Sequence, residues 1–401
     1  MNTFRIVVSV ATALLTANFT FAQTWTQTIA PTNNYWFSIA SSADGSRLAA
    51  LGQPTTIDFS AVYTSTNSGT TWISNSLPAT RYGQPAFNFE ILAGSADGTQ
   101  LVAAQDNDLG IIDTSTNWGL TWVTRTNYGD TAWTSAASST DGKTLVLSDD
   151  VSRIRISTNS GATWSSLQLP GYISSYAASP ANGSSLVVAV NGAGIYGTTN
   201  FGSSWITNNL STPPLSAIAA SADGIKLAVV ASMGQIDTSA NSGITWVQQT
   251  NAPSLPWSSV ASSADGTKLV AVAGGFLHIG PIYTSTDSGV TWISNSAPVT
   301  NWISVASSAD GRKLVATVFS GGIWTAQTTP APSLNIAPTN GNLTLSWIIP
   351  STNFMLQQNL DLTTANWTEV TNWPVLNLTN LQDEVMLPLT NGGALYRLVA
   401  Q

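Results

Sequence analysis

The octapeptide STNSGTTW, residues 65–72, decides the fold because it keeps returning. It recurs as STNWGLTW (115–122), STNSGATW (157–164), TTNFGSSW (198–205), SANSGITW (239–246) and STDSGVTW (285–292). A second signal, SADG or a close variant, alternates with it and sets Asp44, Asp97, Asp141, Asn182, Asp223, Asp265 and Asp310 just before a glycine. Successive units are 41 to 53 residues apart.

Periods of that size, with about four short strands per unit, indicate a propeller or solenoid. In the first unit FSIASS (37–42) and RLAAL (47–51) flank an Asp-Gly turn, AVYTS (61–65) leads into the octapeptide and TTWIS (70–74) leaves it. These read as four antiparallel strands, a to d, joined by tight turns. Four residues before each turn Asp or Asn stands an alanine (Ala40, Ala93, Ala137, Ala178, Ala219, Ala261, Ala306), the small side chain that crowding around a central axis demands. There are seven SADG units and six octapeptides, so the seventh unit lacks its outermost strand. The segment QTWTQTIAP (23–31) resembles the TTWISNSLP that ends unit one, so residues 24–29 are expected to complete unit seven. Closure of that kind removes exposed sheet edges. The expected fold is all-β: a seven-bladed β-propeller over 23–327, closed by an N-terminal strand, then a small C-terminal β-sandwich.

The octapeptide resembles the Asp-box, or BNR repeat, S-x-D-x-G-x-T-W, over about residues 24–327. In that family the box is the turn between strands c and d. The resemblance implies frame roles for Asn67, Gly69 and Trp72, for Asn117, Gly119 and Trp122, and for Asn159, Gly161 and Trp164. It implies the same for Asn200, Gly202 and Trp205, for Asn241, Gly243 and Trp246, and for Asp287, Gly289 and Trp292. The polar residue bonds its own turn, glycine takes a backbone shape costly for others, and tryptophan packs between strands. Asn replaces Asp in five of the six copies, which keeps the turn bonds and removes a charge-based role.

Composition narrows the function. The chain has 401 residues, net charge −8, 12 Lys+Arg against 20 Asp+Glu, one histidine (His278) and no cysteine. A basic footprint for nucleic acid is missing. Thiol nucleophiles and Cys- or His-built zinc sites are excluded. Arg5, the apolar run Ile6–Leu15 and the TFA of 20–22 read as an export signal over residues 1–22. The expected protein is exported, periplasmic or cell-surface, monomeric, needs no cofactor and is not integral to a membrane.

Because strands alternate direction, both repeated turns fall on one face, and the b–c and d–a loops on the other. That second face varies in sequence and loop length. From turn glycine to octapeptide takes 15 residues in units three to five, but 20, 17 and 19 in units one, two and six. The Trp72–Phe89 link is 17 residues where its equivalents are 10 or 11. The enlarged loops, carrying Arg81, Tyr82, Asp106, Asp108, Phe276 and His278 among others, cluster in one sector, and such loops commonly carry function. Eight residues before the turn lie Trp36, Phe89, Trp133, Trp257 and Trp302, ring candidates for stacking on a ligand or for filling gaps between blades. Glu90 is the one charge in the next column. QDND (105–108) and SDD (148–150) offer oxygen ligands for calcium or, more simply, solvated loops.

Asp-box propellers include sialidases, and that resemblance would imply three clamping arginines with a Tyr–Glu pair. The pattern does not transfer: Arg47 and Arg312 fall on the turn face, leaving Arg81, Arg153 and Arg155. A glycoside hydrolase using two of Glu90, Asp106, Asp108, Asp149 and Asp150 stays open as the alternative. The repeat style is also similar to secreted bacterial BNR propellers and to photosystem II assembly factor and sortilin-type propellers, which bind partners. The leading expectation is non-catalytic recognition of an extracellular protein or glycan by the variable face, with Trp36, Arg81, Tyr82, Phe89, Glu90, Trp133, Trp257 and Trp302 as contact candidates. After a Pro-containing linker (328–335), residues 336–401 read as a sandwich of strands 342–347, 353–359, 366–370, 384–389 and 394–400. Trp347 and Tyr396 give it a weak resemblance to fibronectin type III domains, with room for a strand to be missing.

Overall fold

The structure is a computed structural model. It describes residues 24–327 except 56–59, 79–88, 106–109, 128–131, 151–152, 170–174, 179–182, 184, 191–193, 209–213 and 233, and residues 334–400 except 340–341, 349–353, 361–363, 365, 373, 378–381 and 389–393. Contacts separate a unit of Ala22–Thr328 from a second that includes Thr329–Gln401.

The described part of the first unit is strand, turn and loop, arranged in seven antiparallel sheets. Sheet one is typical: Asn34–Ser41, Leu48–Pro54, Ala61–Ser65 and Ile73–Ser76 pair in chain order, as strands joined by short turns do. Sheet seven departs from that order. Its strands Trp302–Ser307, Lys313–Val318 and Ile323–Gln327 are followed outward by Trp25–Gln27, paired with Trp25 opposite Ala326 and Gln27 opposite Trp324. Ser320–Gly321 crosses to pair with Asn34 and Tyr35 of sheet one.

The second strand of each sheet is mostly apolar, as in LVAAQ (101–105), LVVAV (186–190) and LVAVA (269–273), because both its faces are buried. The cores therefore lie between sheets. One joins Ala49, Leu51 and Val62 of sheet one to Phe89, Leu101 and Ala103 of sheet two, and another joins Trp36 and Ala50 to Val315 and Ile323 of sheet seven. The innermost strand of each sheet packs on that of the next, and Trp302–Ser307 packs on Asn34–Ser41.

Backbone bonds repeat this linkage at the Asp-Gly turns. Ala43 N donates to Ala96 O, Asp97 N to Thr140 O, Ala222 N to Ala264 O, Ala264 N to Ala309 O, and Ala309 N to Ala43 O at 2.7 Å. A register shift interrupts six of the inner strands at the same place, between Trp36 and Ser38, Phe89 and Ile91, Trp133 and Ser135, Leu215 and Ala217, Trp257 and Ser259, and Trp302 and Ser304. The extra residue of each bulge is the column that contains Phe37 and Glu90.

The second unit holds two sheets: Asn335–Thr339, Asn342–Ile348, Gln382–Pro388 and Val375–Asn377 in one, Thr368–Glu369, Phe354–Asn359 and Leu395–Ala400 in the other. They share a core of Leu345, Trp347, Leu356, Val370, Val385 and Leu387. Asn335–Thr339 and Val375–Asn377 are strands beyond those read from the sequence. Each is an edge strand of its sheet.

Candidate functional site

The octapeptide builds a turn whose side chains are consumed by the turn itself. Asn67 Oδ1 accepts from Thr71 N at 2.8 Å and from Ser65 Oγ at 2.9 Å, and Nδ2 donates to Thr71 Oγ1 at 2.8 Å. Trp72 Nε1 donates to Gly69 O at 3.1 Å. In the acidic copy Asp287 Oδ1 accepts from Thr291 N and Ser285 Oγ, while Oδ2 accepts from Thr291 Oγ1 at 2.6 Å. The threonine hydroxyl reverses its direction while the turn bonds stay, and Trp292 Nε1 lacks the bond to the turn glycine that the tryptophans of the other five copies make. Gly69 is left-handed at φ 88°, and so is the residue before it, Ser68 at 56°. The same pair of left-handed residues recurs in all six copies, with Trp118 and Phe201 among the non-glycine members.

Both repeated turns lie together. Ser68 N donates to Ser46 O, Trp118 N to Thr99 O and Ser288 N to Thr267 O. Asp44 is bound within its own turn by Ser42 Oγ and Ser46 N, and those bonds, the Ser42 hydroxyl first, hold its carboxyl down to about 2. Asp265 is lowered to about 2 in the same way by Ser263 and Thr267. A feature absent from the sequence reading completes this face. At several turns the residue two after the glycine reaches over the Asp-Gly turn of the next sheet: Arg47 Nη1 donates to Gly98 O, Gln100 Nε2 to Asp141 O and Lys268 Nζ to Asp310 O. Lys313 of sheet seven lies over Gly45 of sheet one, where a Cβ would meet Lys313 Cδ at 2.7 Å.

On the opposite face, the candidate rings Trp36, Phe89, Trp133, Trp257 and Trp302 are at most 1% exposed. They fill the gaps between sheets. Trp36 Nε1 donates to Gly321 O and the ring meets Tyr63 edge-on, Trp257 meets Tyr283 edge-on, and Trp302 leans on Trp25 at 6.1 Å. No ring face among the five is open to a ligand. Glu90 is half-buried at its bulge. Asp149 is fully buried, and Arg153 closes on it through Nε at 2.6 Å and through its backbone N at 2.7 Å, so this ion pair is not the exposed one its loop position suggests. Asp150 is exposed. Arg81, Tyr82, Asp106 and Asp108 lie outside the described residues. Among the described residues no three His, Asp or Glu side chains gather in a way that would hold a metal ion.

Two carboxylates escaped the sequence reading because they sit in strand c, where sheets one and six carry Tyr63 and Tyr283. Asp113 is fully buried and neither oxygen receives a hydrogen bond of normal geometry. Burial pushes it up to about 6, and the nearby Thr124 hydroxyl offsets only part of that. Asp237 is raised by burial too, tempered by Gln235 Nε2 at 2.8 Å from Oδ2.

Among the described residues of this face, one cluster is aromatic. Phe319, in the b–c loop of sheet seven, stacks on Tyr35 at 5.1 Å and 24° and meets Phe276 edge-on at 4.6 Å and Phe37 edge-on at 6.1 Å. Phe276 comes from the enlarged b–c loop of sheet six, and Tyr35 from the start of the inner strand of sheet one. The platform is pinned from beneath: Trp36 N donates to Phe319 O, Phe319 N to Asn301 O, and Gly280 and Thr300 exchange bonds of 2.9 and 3.2 Å. Beside the rings, Leu277 is 90% exposed and Ile279 67%. Period gave no sign of this cluster, since its members occupy different positions in their units.

No family model and no curated protein matches the sequence. Solved structures do. YCF48 from Cyanidioschyzon merolae superposes with a TM-score of 0.57 at 16% identity, over 76% of this chain and 98% of that one. YCF48 bound to a D1 peptide gives 0.56 at 16%, over 79% and 97%. Both are β-propellers. The fold of this chain is that of a β-propeller. A GH74 xyloglucanase from Xanthomonas campestris, also a propeller protein, gives 0.58 at 13% identity over 81% of this chain and 59% of that enzyme. Among the described residues no helix is long and apolar enough to cross a membrane.

Proposed function

We propose that the chain is an exported, monomeric, non-catalytic recognition protein that binds an extracellular protein or glycan through the loop face of its propeller. The aromatic platform centred on Phe319 carries this reading, because it gathers rings from three sheets at an open face and fixes them by backbone bonds. Longer loops on a rigid scaffold suit binding. The seven sheets are, in this proposal, the blades of one ring framed by Asp-box turns and closed by the N-terminal strand. The pairing of Trp25–Gln27 with Ile323–Gln327, the Ala309–Ala43 bond and Lys313 over Gly45 support that closure. A propeller bound to a D1 peptide is a precedent for peptide binding on this fold and says nothing of the ligand here.

A hydrolysis screen on sialosides and plant or algal polysaccharides, run beside glycan-array binding, tests the reading. The expected result is no turnover. Turnover that Glu90→Gln abolishes would replace recognition with glycoside hydrolysis by the acids of the sheet two and three loops.

A further inference from the structure

We infer that the platform takes an uncharged segment of a partner protein bearing aliphatic or aromatic side chains, a deepening that rests on the recognition reading above. The segments that build it, 33–37, 274–281, 296–301 and 319–322, contain no Lys, Arg, Asp or Glu, and their titratable side chains are Tyr35 and His278. That neutrality is local in a chain of net charge −8, and these four segments give a charged ligand no Lys, Arg, Asp or Glu to pair with. The exposed side chains include aliphatics as well as rings: Leu277, Ile279 and, beside Thr300, Val299 at 61% exposure.

This mixture separates two occupants. A sugar gains from a flat ring face edged with polar partners, but its hydroxyls lose hydrogen bonds when pressed on aliphatic carbon. Apolar side chains gain from burial against rings and aliphatics alike. Phe276 and Phe319 meet edge-on at 73°, so they present two differently tilted apolar planes in place of one broad stacking surface. The backbone bonds beneath Phe319 and Gly280 hold this arrangement before binding, which limits the ordering entropy that association must overcome.

The test uses the full-length chain on an array of immobilised short peptides of aliphatic-aromatic, acidic, basic and polar composition, with a glycan array in parallel. The expected binders are uncharged aliphatic-aromatic peptides, with affinity nearly unchanged between about 50 and about 500 mM NaCl, since no ion pair is there to be screened. Phe276→Ser and Leu277→Ser should each weaken binding by about tenfold or more, as loss of an anchor does. Both side chains are exposed, so the melting temperature should hold. Ile244→Ser, an exposed aliphatic in an octapeptide turn, should leave binding intact. Preference for charged peptides, binding that survives both platform variants, or no peptide binding would overturn the inference. Glycan binding lost in those variants would also overturn it while leaving recognition standing, whereas Glu90-dependent turnover would remove recognition itself.

Discussion

At the residue scale, a turn can exchange Asp for Asn when the carboxylate works as an acceptor and its charge is unused. Asn159 makes the same bonds as Asn67, to Thr163 N at 2.8 Å, Thr163 Oγ1 and Ser157 Oγ. Asn159→Ala should therefore destabilise the chain by about 1–2 kcal/mol in urea unfolding, and Asn159→Asp by less than about 0.5 kcal/mol. Equal losses would show that the charge matters. Asp113 has the opposite character. With its folded pKa raised to about 6 against 3.8 for the free group, the folded chain keeps a proton the unfolded chain releases. Stability should fall as pH rises from about 4 to about 6 and then level, by an amount on the order of 3 kcal/mol. Asp44 and Asp265, lowered to about 2, contribute with the reverse sign in a separate window, losing their stabilisation as pH drops from 3.8 toward 2. Asp113→Asn should flatten the upper window in urea midpoints taken between pH 4 and 7; an unchanged slope there would refute the assignment.

The repeated turns were legible at this scale because each copy repeats an Asn or Asp, a glycine and a tryptophan. The left-handed residue before the glycine was not, since Ser, Trp and Phe all fill it and the turn bonds impose the shape. Asp113 was hidden by its company: in IIDTS it reads as a polar edge of a strand, and only the packing of sheet two on sheet one buries it. The aromatic column was visible, and sequence alone favoured filling of gaps for Trp36 or Trp302 while leaving stacking on a ligand open. Burial of both faces decided for the gaps.

At the scale of the element, the strand Trp25–Gln27 is short, and its contribution comes from one ring. Trp25 is buried against Trp302, Val318 and Ala326 in the core between sheets six and seven. Trp25→Ala should cost about 3–5 kcal/mol, as loss of a buried aromatic does. For a domain of this size that corresponds to a fall in melting temperature on the order of 10 °C. Deleting residues 23–31 should lower it further, because Ile323–Gln327 then becomes an open edge. A melt unchanged by either alteration would count against closure by this strand. The strand was readable from a missing seventh octapeptide, an inference from counting; its pairing partner follows from the register with Ile323–Gln327.

At the scale of the whole molecule, the two faces divide the work. The turn face is a lattice in which Asp-Gly turns, octapeptides and long side chains such as Arg47 and Lys313 bind one another from sheet to sheet. The Asn and Asp side chains of its turns are bonded within the turn, and its regularity is what made the fold readable. The loop face is irregular, and its ring cluster draws residues 35, 37, 276 and 319 together across the chain, a juxtaposition that only the folded structure reveals. The most direct test of this division is a serine scan of exposed apolar side chains on both faces, reading ligand capture on defined peptide and glycan arrays together with melting temperature. Replacing Phe276, Leu277 or Ile279 should abolish capture without shifting the melt, while replacing Leu120, Ile244 or Val290 on the turn face should change neither. Capture lost from the turn-face variants and kept by the loop-face variants would contradict the account.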